Sequence, residues 1–153
     1  MVSPAHVSSS LNSFALPLTL SVPKFIAEIG CNHRGDVDTA RQMMVVAKTC
    51  GADVVKFQKR NSRELLTPEQ YNAPYENIHS YGKTYGEHRE YLEFDLETHA
   101  KLKRYAEEHG VEYSTSVWDL TSAKEMASLQ PNLLKVPSAC NNHISMLQVL
   151  RDE

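Results

Sequence analysis

The chain reads as an α/β protein built on a parallel sheet, and three observations carry that expectation. Short β-branched runs alternate with longer stretches of helical periodicity, the runs are mostly apolar, and glycines close the two longest helical patterns at positions 51 and 110. Parallel crossovers cover strands with helices, so mostly apolar runs separated by helical segments are their signature.

The first strand is expected over Phe25 to Ile29. A helix follows from Val37 to Cys50, with Ala40, Met43, Met44 and Ala47 recurring at three and four residues. Asp36 is its candidate N-cap and Gly51 its stop. Asp53 to Gln58 is the second strand. The connection from Lys59 to Phe94 carries Pro, Asn, Gly and five tyrosines, long enough to be expected as a functional loop. The next helix starts near Asp95, sets Leu96, His99, Leu102, Tyr105 and Ala106 on one face, and stops at Gly110. Then come a strand over Val111 to Ser116, a helix over Thr121 to Leu129, a strand over Leu133 to Val136 and a helix near Ile144 to Leu150.

Four βα units fill the chain. A closed eight-stranded barrel takes about 250 residues, so 153 residues supply about half of one. Periodicity alone also allows an open four-stranded sheet. Residues 1–22 are expected to be a loosely ordered tail: no Lys or Arg precedes Lys24, which argues against a secretory or transit leader.

A composition of 41% hydrophobic and 23% charged residues is globular and excludes disordered and fibrous classes. A formal net charge of -3 gives no field to gather nucleic acid or an anionic membrane, so small-molecule partners are expected. No apolar run reaches the ~20 residues of a membrane helix. Cys31, Cys50 and Cys140 lack CxxC spacing, which points away from zinc or disulfide scaffolds and toward a reducing, cytoplasmic location.

Ligands of parallel α/β folds bind beyond the carboxyl ends of the strands, so polar residues there carry weight. Glu28 stands inside an apolar strand, where a carboxylate must be paired, protonated or catalytic. Lys56 and Lys135 stand among Val, Phe and Leu, where an ammonium needs a counter-charge. A bound phosphate or carboxylate would supply one; a structural Glu28–Lys56 ion pair would serve equally. Gln58, Ser114, Thr115, Ser116 and Ser138 complete a polar, anion-friendly rim, although strand-end hydroxyls also bond the backbone. Asn32 and His33 fall in a turn, and His33 is expected to be exposed. Tyr81 to Arg89 could close over a sugar or form a solvated loop anchored by its tyrosines. No GxGxxG or GxxxxGK[ST] pattern is present.

Five segments in order, IAEIGCNHRGD, GADVVKFQ, YGKTYGEHREYLEF, STSVWDL and LLKVPSACNN, make the stretch from Phe25 to Leu150 resemble the opening half of the sialic acid synthase family, whose members make N-acetylneuraminate, legionaminate and pseudaminate. The resemblance implies the N-terminal part of a TIM-type (βα)8 barrel, with later strands and an antifreeze-like domain beyond these residues. It implies a transferase that joins phosphoenolpyruvate to an N-acylmannosamine-type sugar and works as a homodimer with a divalent metal, typically manganese. By the same resemblance Lys56, Lys135 and Ser138 hold the phosphate and carboxylate of phosphoenolpyruvate and Glu28 lies at the reacting centre; Gln58 and Ser114 are expected to bind substrate from their place on the strand-end rim.

Two departures stand out. Where known members carry an acidic residue shortly after the serine of the fourth strand, this chain has Cys140, expected as a small buried residue at a loop start, the mark of a different sugar, or a weakened site. The family's metal-binding histidines lie on later strands, so no metal ligand is nominated and the chain by itself is expected to be inactive. Two rivals remain: a non-catalytic half-barrel that binds a sugar phosphate or a complementary chain, and a barrel aldolase using Lys56 or Lys135 as a Schiff base.

Overall fold

Parallel pairing joins the four strands in chain order. In the computed structural model, which describes residues 22–152, β1 (Ile26–Gly30) pairs with β2 (Val54–Lys59), β2 with β3 (Glu112–Val117) and β3 with β4 (Leu133–Lys135). The expected α/β class and parallel sheet are thus present, with strand boundaries within a residue or two of the sequence reading. The expectation for residues 1–22 lies, except for Val22, outside the described residues.

Helix α1 (Val37–Thr49) begins where Asp36 accepts hydrogen bonds from the Asp38 and Thr39 amides. That cap satisfies donors that a helix leaves without partners. Helix α5 (Leu96–Glu108) begins in the same way, with Asp95 accepting from the Thr98 amide. Between them, the connection expected as a loop contains α2 (Ser62–Leu65), α3 (Pro68–Asn72) and α4 (Tyr85–Tyr91). Two reciprocal capping boxes, Thr67 with Gln70 and Thr84 with Glu87, nucleate the latter two. These helices are too short to show an apolar period, which is why periodicity did not find them.

Tyr81 stacks on Tyr91 with ring centroids 4.6 Å apart, and Tyr75 lies 4.5 Å from His88. The tyrosines therefore anchor the connection to itself. Helices α6 (Leu120–Ser128) and α7 (Ile144–Asp152) complete the chain, and a single 3-10 turn over Ser138–Cys140 separates β4 from α7.

The period of two divides the sheet into unlike faces. Ile29, Val55, Phe57 and Tyr113 pack against Ala40 and Met44 of α1 and Leu102 and Ala106 of α5. A second cluster joins Val117, Ala123, Met126, Cys140 and Met146. Burying a side chain such as Phe57 contributes about 1.5–3 kcal/mol. The opposite face carries Glu28, Lys56, Gln58, Ser114, Ser116 and Lys135. Parallel crossovers lead to the expectation that both faces are buried; instead these two clusters lie on the helix-covered face, and the other face carries the polar residues.

Candidate active site

β1 and β2 are registered so that Glu28 and Lys56 are direct partners. The Lys56 ammonium donates to Glu28 Oε2 and, at 3.3 Å, to Ser116 Oγ. Gln58 Nε2 donates to Glu28 Oε1 at 2.8 Å, and Trp118 Nε1 donates to Gln58 Oε1 at 2.7 Å. One chain of contacts thus runs from β3 through Trp118, Gln58, Glu28 and Lys56 back to Ser116.

Burial is divided unequally. The Lys56 side chain is 8% exposed and that of Glu28 47%. Glu28 is therefore not the desolvated carboxylate expected from its apolar strand: it projects from the uncovered face of an edge strand and keeps water on one side. Lys56 is the desolvated partner. Burial lowers the affinity of its amine for a proton, and the nearby Lys135 charge lowers it further.

Lys135, expected to be desolvated, is exposed at the end of β4, as is Ser138 in the 3-10 turn that follows. Edge position explains both. Ser114 is buried and its hydroxyl donates to the Leu133 carbonyl at 2.9 Å, fastening β3 to β4; Ser116 is the serine that reaches Lys56. The structure thus unites Glu28, Lys56 and Gln58, sets Lys135 close enough to repel Lys56, and commits Ser114 to the backbone.

His33 is also corrected. It is buried and stacked on Phe94 at 4.1 Å, and its Nδ1 accepts from the Gly35 amide at 3.1 Å. Burial pulls its pKa down to about 4, so it is a neutral packing residue. Cys140 is buried, and its thiol donates to the Trp118 carbonyl at 3.2 Å.

Trp118 is the link that residue-type reasoning left out, whereas Ser116 was read as part of the rim. The run Ser114 to Trp118 held the signal, because Trp118 is the sole tryptophan and follows a strand whose even positions face the rim. A cleft of about 350 Å³ opens beside Trp118, with Arg60, Arg89, Ser62 and Tyr85 in its lining. Another, of about 340 Å³, lies at the opposite end of β1 among Phe25, Ala27 and Ala47; its apolar walls suit no charged substrate. Among the described residues no three His, Cys, Asp or Glu side chains converge to hold a metal ion, so these residues do not by themselves fit the manganese implied by resemblance.

A parallel sheet with one helix-covered face and a carboxylate–lysine network on the other defines part of an α/β enzyme scaffold of the barrel type. A family profile described as the NeuB family matches residues 43–153, and the chain belongs to that family. It is 42% identical to human N-acetylneuraminate-9-phosphate synthase over 123 residues, covering 80% of this chain and 34% of that protein. It is 34% identical to N,N'-diacetyllegionaminic acid synthase of Legionella pneumophila over 124 residues, 80% of this chain and 35% of that one. The chain thus spans about a third of the length of these curated relatives. The crystal structure of an N-acetylneuraminic acid synthetase from Leptospira borgpetersenii superposes with a TM-score of 0.67 at 24% identity, over 86% of this chain and 42% of that one, which gives the fold.

Proposed function

We propose that this chain supplies the phosphoenolpyruvate-facing part of a site that condenses phosphoenolpyruvate with an N-acylmannosamine-type sugar. The observation that carries this reading is the buried Lys56 ammonium, paired to a half-exposed Glu28 with Lys135 nearby. Two ammonium groups against one carboxylate leave room for an anion. In the reaction, C3 of phosphoenolpyruvate attacks the open-chain aldehyde and forms a C–C bond, while the aldehyde oxygen takes up a proton. Positive charge develops at C2, water adds there, and C–O cleavage releases phosphate and leaves the keto acid.

Glu28 is placed to stabilise the charge at C2 or to take the proton of the attacking water. Gln58, fixed by Trp118, orients Glu28. Lys56, Lys135 and Ser138 hold the phosphate and carboxylate. A divalent metal, manganese first, and homodimerisation are proposed for the enzyme at the length of its relatives.

Titration of the 153-residue chain with phosphoenolpyruvate by calorimetry tests the reading. Saturable binding that weakens at least tenfold in Lys135→Ala is expected, and binding indifferent to Lys135 and Lys56 would overturn it. The same chain supplied with N-acetylmannosamine and manganese should release no phosphate. The lowered proton affinity of Lys56 favours a second reading, a Schiff-base aldolase. Borohydride trapping with pyruvate would then label Lys56, and an unlabelled lysine removes that reading.

A further inference from the structure

The four-stranded sheet is open at both sides. Among the described residues β1 pairs only with β2 and β4 only with β3, so each edge strand presents a row of unpaired backbone donors and acceptors, a template for another strand. The uncovered face is equally unfinished. Ile26 falls on it, exposed, two residues before Glu28. Leu133 shares it as the register partner of Ser114, so apolar side chains lie beneath the polar rim. In a closed barrel such inward side chains pack against one another in layers. Beside the edge of β1, the apolar cleft of about 340 Å³ is walled by Phe25, Ala27, Ala47 and Cys50. In βα architecture that is where the helix following a neighbouring strand would pack.

We infer that two copies of this chain join edge to edge, β4 of each beside β1 of the other, and close an eight-stranded parallel barrel. Strand number and direction agree. Four strands are half of such a barrel, and a two-fold axis along the barrel keeps all eight parallel and makes the two joints identical. The side chains agree as well. α7 follows β4 and carries Ile144, 62% exposed, while α1 follows β1 and carries Val46, 60% exposed. Joining β4 to β1 sets these helices side by side and seats α7 against the apolar cleft. Charges on the two edges are complementary, since Glu28 is half exposed on β1 and Lys135 is exposed on β4, both on the uncovered face. Each Glu28 is then flanked by its own Lys56 on one strand and by the partner's Lys135 on the other, so the second copy completes the rim. This contact is separate from the homodimer proposed for the longer enzyme, because here the second copy supplies strands of the same barrel. It goes beyond the condensation reading and is measured without substrate.

Sedimentation equilibrium of the 153-residue chain is expected to show monomer and dimer with no larger species. Val46→Lys and Ile144→Asp alter exposed side chains and suit their places, lysine by helix propensity and aspartate in a first helical turn. Circular dichroism should therefore find both variants folded. Each should weaken association at least tenfold, and Lys135→Glu, which sets carboxylates on adjoining strands, should do the same. Amide exchange gives a second reading on the parent chain: dilution below the dissociation constant should speed exchange along β1 and β4 and leave β2 unchanged. A chain that stays monomeric up to millimolar concentration would overturn the inference and leave both edges to strands of another polypeptide. Open-ended oligomers would overturn closure. A dimer indifferent to these substitutions, with β1 and β4 exchanging as they do in the monomer, would overturn the edge contact. Phosphoenolpyruvate binding by a strictly monomeric chain would leave the condensation reading standing while this one fails.

Discussion

Glu28 and Lys56 face each other across β1 and β2 as direct register partners, yet only Lys56 is buried. The pair is therefore asymmetric: removing the exposed carboxylate strands a desolvated ammonium, whereas removing the ammonium leaves a carboxylate that water can still solvate. Glu28→Gln is expected to destabilise the chain by about 1–3 kcal/mol and Lys56→Met by less than about 1 kcal/mol. Urea midpoints of both variants check this, and the reverse order would contradict the burial argument.

The pH dependence of stability combines groups of opposite sign. Burial pulls His33 down to about 4 and His99 to about 3, so the unfolded chain binds protons that the folded chain refuses. Their contribution is present above the ordinary value near 6.5 and drains as pH falls, ending at about 4 for His33 and about 3 for His99. Glu93, pushed by burial up to about 7, does the opposite. Its contribution is present below the ordinary 4.5 and is lost as pH rises to about 7. Glu93→Gln keeps an acceptor for the Arg60 amide and removes the ionisation. Its stability relative to the parent should therefore grow from pH 4.5 to 7, by up to about 1.4 kcal/mol per pH unit. A difference independent of pH in denaturation series would refute this.

The turn after β1 depends on Gly35. Its φ is +76°, and a Cβ built there would stand 2.6 Å from the Tyr91 carbonyl and 3.0 Å from the Tyr91 ring. Backbone strain and collision act together, so Gly35→Ala is expected to cost at least about 1–3 kcal/mol. Because Tyr91 ends α4, the same change should loosen the connection that carries Arg89. Faster amide exchange across residues 81–91 is the expected signature.

Elements with local punctuation were legible. Asp36 and Gly51 bracket α1, and Asp95 and Gly110 bracket α5, because caps and stops act within a few residues. The pairing of Glu28 with Lys56 was also open to reading, since parallel neighbours with charges at equivalent depth invite it. What stayed hidden depends on tertiary placement. Period two separates the faces of a strand without saying which face helices cover, so Glu28 was expected to be buried when it is half exposed. Gln58 and Trp118 lie 60 residues apart, and only the register of β2 on β3 brings them together. Arg60 and Arg89 were invisible as a pair for the same reason: the connection folds back through α3 and α4, each begun by a capping box and too short to show a period.

Position 140 offers a last test of packing against chemistry. Cys140 sits in the second core cluster beside Val117 and Met146, its thiol donates to the Trp118 carbonyl, and burial together with Asp119 raises its pKa. A group so placed keeps its proton and lends its volume. Cys140→Ala should therefore cost about 1 kcal/mol, the worth of one buried hydrogen bond with a small loss of packing, and should leave phosphoenolpyruvate affinity within twofold. Cys140→Glu would place a carboxylate against the buried Asp119 and should destabilise the chain by more than about 2 kcal/mol. Calorimetry and urea unfolding of the two variants measure both quantities. Should Cys140→Glu instead bind phosphoenolpyruvate more tightly without loss of stability, position 140 would belong to the site, and its thiol would be a substitution within the substrate rim rather than part of the core.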